Sequence, residues 1–163
     1  NRFVCEQQPY NLLDRRVERE LMPMADTYGV ATIPWSPLGG GLLTGKYRRG
    51  EEPPEGTRFA NANAMQRRRF NERIFDVIEG VTPIAEGRGT TLSRYALAWV
   101  MAQPGVTSPI IGPRTMEQLE DNLAAAELTL DESDMAAVDA VIPPGHMVAP
   151  FYEVDFGPHP FRV

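Results

Sequence analysis

The stretch "ATIPWSPLGGGLLTGKY", residues 31–47, runs a short apolar segment into Trp35, a Ser-Pro pair, three consecutive glycines and a lysine. With the preceding Val30 the segment reads "VATIPW", bounded by Gly29 and Pro34 and short enough for a strand. In parallel α/β architectures ligands sit where strands end and loops begin, so Trp35 to Lys46 is the informative part. An aromatic face, then bare backbone donors, then a cation would suit an aromatic ring followed by phosphates. The same residues also read as a core tryptophan, a flexible turn and a solvated lysine. Composition does not choose between these.

Working outward, "RFVCEQ" predicts a short buried strand upstream, with Cys5 as an inert core thiol. Between the two strands Val17, Leu21, Met24 and Tyr28 fall on one helical face, and Gly29 stands where such a helix stops. Pro23 either kinks that helix or sits in the first turn of a shorter one. Downstream of Lys46, a loop rich in Gly, Pro and charge continues to Ala60 and a little beyond. Loops of that size are functional or disordered. Helical spacing resumes through Phe70, Ile74, Val77, Ile78 and Val81, and again through Leu92, Tyr95, Ala96, Trp99 and Val100. "VTSPIIG" reads as a third strand. After it, Thr115 and Gln118 predict a capping box on a helix with Met116, Leu119 and Leu123 inward, and "LTLDESDMAAVDAVI" predicts a last capped helix. An aromatic, proline-rich tail closes the chain. Short strands alternating with helices predict an α/β fold with a parallel sheet. Three strands cannot close a barrel, so either the sheet is small or half of it is missing.

The third strand end also favours anions. Gly112 and Arg114 precede a helix N-terminus, where free N–H groups and the helix dipole attract negative charge and a guanidinium fork suits phosphate. Gln118 and Asn122 share a face of that helix. Ordinary surface polarity is the alternative there. Gln7 and Gln8 stand at the first strand end. Elsewhere chemistry is scarce: His146 and His159 lack metal-ligand spacing, no metal site is expected, and Arg67 to Arg69 read as a solvated helix start. The carboxylates of "DESD" and "EQLED" read as solvated, and no Walker or GxGxxG spacing follows a strand.

The 163 residues carry a formal net charge of -6 and one cysteine. That balance argues against a nucleic-acid partner, and one cysteine excludes an internal disulfide. No apolar run reaches membrane-spanning length and no signal-peptide pattern opens the chain, so a cytoplasmic protein without membrane contact is expected. The chain begins at Asn1, and it reads as cut at its front end.

Three motifs, "QQPYNLLDR", "PWSPLGGGLLTGKY" and "ALAWVMAQPGVTSPIIGPRTMEQLEDNLAA", together resemble the C-terminal half of an aldo-keto reductase, from Gln7 to about Val141. The resemblance implies the C-terminal part of a (β/α)8 barrel: strands six to eight with their helices, a C-terminal helix and the tail. Residues 1–163 would then form a partial domain, the cofactor-binding side, with the N-terminal half absent. It implies NAD(P)H-dependent reduction of a small carbonyl substrate by the intact parent. Gln7 would meet the nicotinamide carboxamide and Trp35 would stack on its ring. Ser36, Pro37, Leu38, Gly40 and Lys46 would line the pyrophosphate. Arg114 would meet the adenosine ribose phosphate, with Gly112 a further cofactor-binding candidate from its place before the helix N-terminus, and Gln118, Asp121 and Asn122 would lie beside the adenine. Arg114 implies NADP(H) in preference to NAD(H). The family's catalytic aspartate, tyrosine, lysine and histidine belong to the first half of the barrel, so no catalytic residue is expected here; Tyr10, Tyr28 and Tyr47 are not the catalytic tyrosine. Two other readings stand beside this one: a non-catalytic nicotinamide-binding regulatory subunit of the kind associated with potassium channels, and a small α/β domain without a cofactor. Self-association of the open sheet is expected.

Overall fold

The computed structural model describes residues 2–149. The tail from residue 150 onward, including His159, lies outside the described residues. Two short parallel strands, β1 (Cys5–Glu6) and β2 (Ala31–Thr32), pair with Cys5 opposite Ala31 and Glu6 opposite Thr32. Their hydrogen bonding continues past the strands, from Ala31 N to Val4 O (3.0 Å), Ile33 N to Glu6 O (2.9 Å) and Trp35 N to Gln8 O (2.9 Å).

Between the strands runs α1 (Leu21–Tyr28), with Gly29 at its C-terminus in the left-handed region, φ 64°. Pro23 occupies the first turn, where its missing N–H costs nothing, so the shorter-helix alternative is the one realised. The buried face differs from the expected one: Met22 and Ala25 point inward, while Met24 and Tyr28 are exposed. Starting the helix at Leu21 leaves Val17 in a separate 3-10 turn, Arg16–Glu18, so the four residues never share one helical face.

The two terminal strand expectations need correction. β1 is exposed, not buried, with Phe3 90% and Val4 76% accessible and Cys5 exposed, because β2 covers one edge only and no other described element packs over it. Cys5 is therefore a surface thiol. "VTSPIIG" forms no regular strand. It lies parallel to β2, bridged at Thr32 with Val106 and at Trp35 with Ile110, three residues apart on one side and four on the other. Pro34 and Pro109 supply no N–H in between, and the extra residue breaks the register. The Thr32 hydroxyl donates to Gly105 O and helps hold the two segments together.

Helices α2 (Ala64–Arg67), α3 (Glu72–Gly87) and α4 (Leu92–Met101) follow the long loop. Asn71 and Thr91 cap α3 and α4 by accepting from Arg73 N and Arg94 N, each cap contributing about 1 kcal/mol. The α4 stripe Leu92, Tyr95, Ala96, Trp99 and Val100 is buried as its spacing predicts, and Ile74, Val77, Ile78 and Val81 of α3 pack with it. The loop is not an open one. Leu42 and Leu43, in a 3-10 turn, are fully buried, and Tyr47, Phe59 and Phe70 stack edgewise into the same core.

Helix α5 (Met116–Ala124) and helix α6 (Glu132–Val141) complete the described chain. On α5 the expected inward face is only partly covered: Leu119 is half-buried, while Met116 at 66% and Leu123 at 58% are exposed. Asp131 and Asp134 make a reciprocal capping box on α6. Gly80 lets α6 approach α3 closely: a β-carbon there would stand 2.7 Å from Val141 Cγ1. A polar knot then ties the "PYNLLDR" loop to the end of α6. Arg15 donates to Glu18 (2.7 Å), Asp139 (2.7 Å) and Ile142 O (2.6 Å) and lies over the Trp99 ring, and Tyr10 donates to Glu18 (2.6 Å).

Candidate functional site

The bridges of Pro9 and Ile110 to Trp35 set the three strand ends side by side. From Trp35 the chain enters a turn in a conformation that side chains disfavour. Ser36 has φ 58°, and Gly39, Gly40 and Gly41 have 61°, 73° and 98°. A non-glycine residue in that region carries about 1–2 kcal/mol of strain, so Ser36 is held there by its surroundings. The turn closes on itself through Gly39 N to Ser36 O (2.9 Å) and Gly41 N to Leu38 O (2.9 Å). Pro37 is buried and Leu38 packs against the core, which anchors the turn from beneath.

Cations converge on this turn. The position a Gly41 β-carbon would take lies 3.0 Å from Lys46 Nζ, and that of Gly40 lies 3.4 Å from Nη1 of both Arg58 and Arg69. Arg69 is buried and donates to Gly39 O at 3.0 Å. Burial, then the neighbouring Arg58, pushes the Arg69 guanidinium down to about 10, with Asp14 opposing. Burial followed by Arg114 and Arg58 also lowers the Lys46 ammonium below its ordinary value. Arg114, from the third strand end, therefore acts on the same space as the glycine turn. Among the described residues Lys46, Arg58 and Arg114 have no carboxylate partner. Four cations gathered on bare backbone, two with depressed basicity, make a site that favours polyanions.

Arg58 and Arg69 carry no motif that marks them in the sequence, and Arg69 is buried against the glycine turn, not part of a solvated helix start. Their convergence on Gly40 is tertiary; the only sequence signal was an arginine within or just after the glycine loop. Other expected residues are arranged less uniformly. Gln7 is exposed beside β1, whereas Gln8 is buried with neither amide atom partnered among the described residues. Trp35 is half-buried. Gly112 is exposed with open space around it, so nothing there requires glycine. Gln118 does not complete a capping box. Thr115 accepts from Gln118 N (3.2 Å), but Gln118 Oε1 reaches past it to Arg114 N (2.8 Å) and fixes the backbone that carries the Arg114 side chain. The Asp121 carboxylate is taken up by Ser93 (3.0 Å) and Arg94 (2.6 Å), tying α5 to α4, and Asn122 is half-buried one position on. No group of described His, Cys, Asp or Glu residues could hold a metal ion. No described helix is long and apolar enough to cross a membrane.

The model of the aldo/keto reductase family matches residues 1–143. The chain belongs to the aldo/keto reductase family. Its relatives include the uncharacterized oxidoreductase YrpG of Bacillus subtilis, 39% identical over 142 residues, which cover 86% of this chain and 41% of that protein. A probable voltage-gated potassium channel subunit beta of Arabidopsis thaliana is 35% identical over 128 residues, covering 77% of this chain and 39% of that one. Protein tas of Escherichia coli is 35% identical over 142 residues, 86% of this chain and 40% of the relative. The aldo/keto reductase chain described here thus spans about two fifths of the length of the curated relatives it matches.

Proposed function

We propose that this chain is the dinucleotide-binding part of an aldo/keto reductase, the last three βα units of a (β/α)8 barrel, and that its cofactor is NADP(H) in preference to NAD(H). The observation that carries the proposal is the meeting of Lys46, Arg58, Arg69 and Arg114 at the left-handed Ser36–Gly41 turn. The residues fit the group. Trp35 at the strand end offers a ring face, Gln7 an exposed amide, the glycine turn a backbone surface for phosphates, and Arg114 with Arg58 a place for one phosphate more. When bound, such a cofactor supplies hydride to the carbonyl carbon of an aldehyde or ketone.

The chain's own part is to seat that cofactor. Proton donation lies elsewhere: Tyr10 donates to Glu18, and burial, then the Glu18 charge, pushes its pKa far above the ordinary phenol range. The Tyr47 hydroxyl is buried, and Tyr28 lies exposed at the end of α1. The chain by itself is therefore expected to turn over no aldehyde.

Titration with NADPH and NADH tests the proposal, wild type against Arg114→Ala. Loss of a charge-assisted contact of about 1.5–3 kcal/mol should weaken NADPH roughly 10- to 150-fold and leave NADH nearly unchanged. Equal losses for both would remove Arg114 from the phosphate site, and no binding of either would overturn the cofactor assignment. The channel-subunit names among the relatives favour one second reading, a regulatory subunit that binds nicotinamide without turnover. Steady-state turnover of a simple aldehyde by the intact protein distinguishes the two.

A further inference from the structure

The turn that carries the site is gripped from behind by two buried side chains that sequence gave no reason to connect. Asn11 Nδ2 donates to Ser36 O at 3.1 Å, across 25 positions in the chain, and Arg69 Nη2 donates to Gly39 O at 3.0 Å, across 30. Both are nearly inaccessible, Asn11 at 2% and Arg69 at 5%. Each is itself held. Asn11 Oδ1 accepts from Leu13 N (2.9 Å), and Arg69 N donates to Gln66 O (3.0 Å).

We infer that Asn11 and Arg69 are positioning residues that aim the Gly40 N–H at the anion, an inference that rests on the cofactor reading above. A trans peptide is planar, so its carbonyl and its N–H point in opposite directions. Binding the Gly39 carbonyl inward to Arg69 therefore turns the N–H of the same peptide unit, that of Gly40, away from the core. Ser36 O accepts from both Asn11 Nδ2 and Gly39 N (2.9 Å), so Asn11 locks the other end of the turn against rotation. The peptide after Ser36 precedes Pro37 and has no N–H of its own to redirect. Left-handed dihedrals at Ser36, Gly39, Gly40 and Gly41 leave the loop other conformations to escape into, and these two donors hold it in this one.

The test uses the ¹⁵N-labelled chain and two variants, Asn11→Ala and Arg69→Met. In the ligand-free protein the Gly40 amide resonance should move and its exchange rate change in both. NADP⁺ affinity should fall roughly 5- to 10-fold for each, about one hydrogen bond. Asn11 carries no charge, so Asn11→Ala should keep the wild-type dependence of affinity on salt, whereas removal of a phosphate-touching cation flattens it. Arg69→Lys, which restores a charged donor, should recover part of the affinity that Arg69→Met loses. A folded Asn11→Ala variant with an unmoved Gly40 amide and unchanged affinity overturns the inference. If Asn11→Ala does not fold, Asn11→Asp keeps the acceptor for Leu13 and turns a carboxylate oxygen toward Ser36 O in place of the donor, so the Gly40 amide should again move, and an unmoved amide there overturns the inference. Failure of the wild type to bind NADP⁺ at any salt concentration would count against the cofactor reading instead, and the amide measurement would still decide the positioning.

Discussion

Arg58→Gln should make the ligand-free chain more stable and its grip on a polyanion weaker. The Nη1 atoms of Arg58 and Arg69 both lie 3.4 Å from one point, the place of a Gly40 β-carbon, so at most about 7 Å separates them. Two unit charges at that distance repel by about 2 kcal/mol at an effective dielectric of 20 and about 0.6 kcal/mol in water. Arg58 is exposed and Arg69 buried, so the relief on removing the outer charge should be about 1 kcal/mol. Urea unfolding at low salt is the suitable assay, because guanidinium would screen the effect being measured. The variant should show a higher midpoint with an unchanged slope, equivalent to roughly 2–4 °C in Tm, and the gain should vanish at high salt. The same variant should bind NADP⁺ more weakly. A lower midpoint at low salt would falsify the idea that these cations repel one another in the free protein, and with it the case for a site that needs an anion.

Other outcomes are expected from the same geometry. Cofactor binding should quench tryptophan emission, and Trp35→Ala should remove most of the change, while Trp99, fully buried under Arg15 and Tyr10, should report only the fold. A quench that survives in Trp35→Ala and disappears in folded Trp99→Phe reverses that assignment. Asp131 has its pKa lowered, first by the Ser133 hydroxyl and then by the Asp134 and Ser133 N–H groups, so at and below the ordinary aspartate value the unfolded chain binds more protons than the folded one. Stability should accordingly fall as pH drops through and below the usual aspartate range, and Asp131→Ala should flatten that limb of the urea-midpoint profile. The uncovered β1 edge, with Phe3 and Val4 exposed, should drive self-association; a monodisperse monomer by light scattering with a concentration-independent transition would count against it.

The helices were legible in the sequence wherever the signal is local. The apolar spacing of α3 and α4 and the capped start of α6 depend on residues a few positions apart, and the structure keeps them, whereas the box expected at Thr115 and Gln118 is only half made. Burial was less legible, because a period says which residues share a face but not whether anything covers it. Met116 and Leu123 of α5, and Phe3 and Val4 beside β1, are apolar side chains left exposed. Parallel pairing was readable from the βαβ alternation, while Pro34 and Pro109 kept the third segment from pairing regularly. At the site, Trp35, the glycines, Lys46 and Arg114 were visible because each follows a strand end. Arg58 and Arg69 were not, since only the folded loop brings them to Gly40, and the hydrogen bonds of Asp121 to Ser93 and Arg94 likewise exist only once α5 lies on α4.

The knot around Arg15 also dictates when this chain can finish folding. Arg15 waits for partners 124 and 127 positions ahead, and Glu18 for the Gly145 N–H, 127 positions from it. Leu13 O accepts from Val148 N and Ala149 N, near the far end of the described chain. During synthesis the first βαβ unit therefore emerges with this loop held only by its local bonds, such as Arg15 and Tyr10 to Glu18, and it stays so until α6 has left the ribosome. Such long-range closure is slow and leaves the early segments exposed to misassembly. Translation speed through the α3 to α6 region thus sets how long that early unit must be shielded, which makes the chain's yield in a cell depend on timing as much as on final stability.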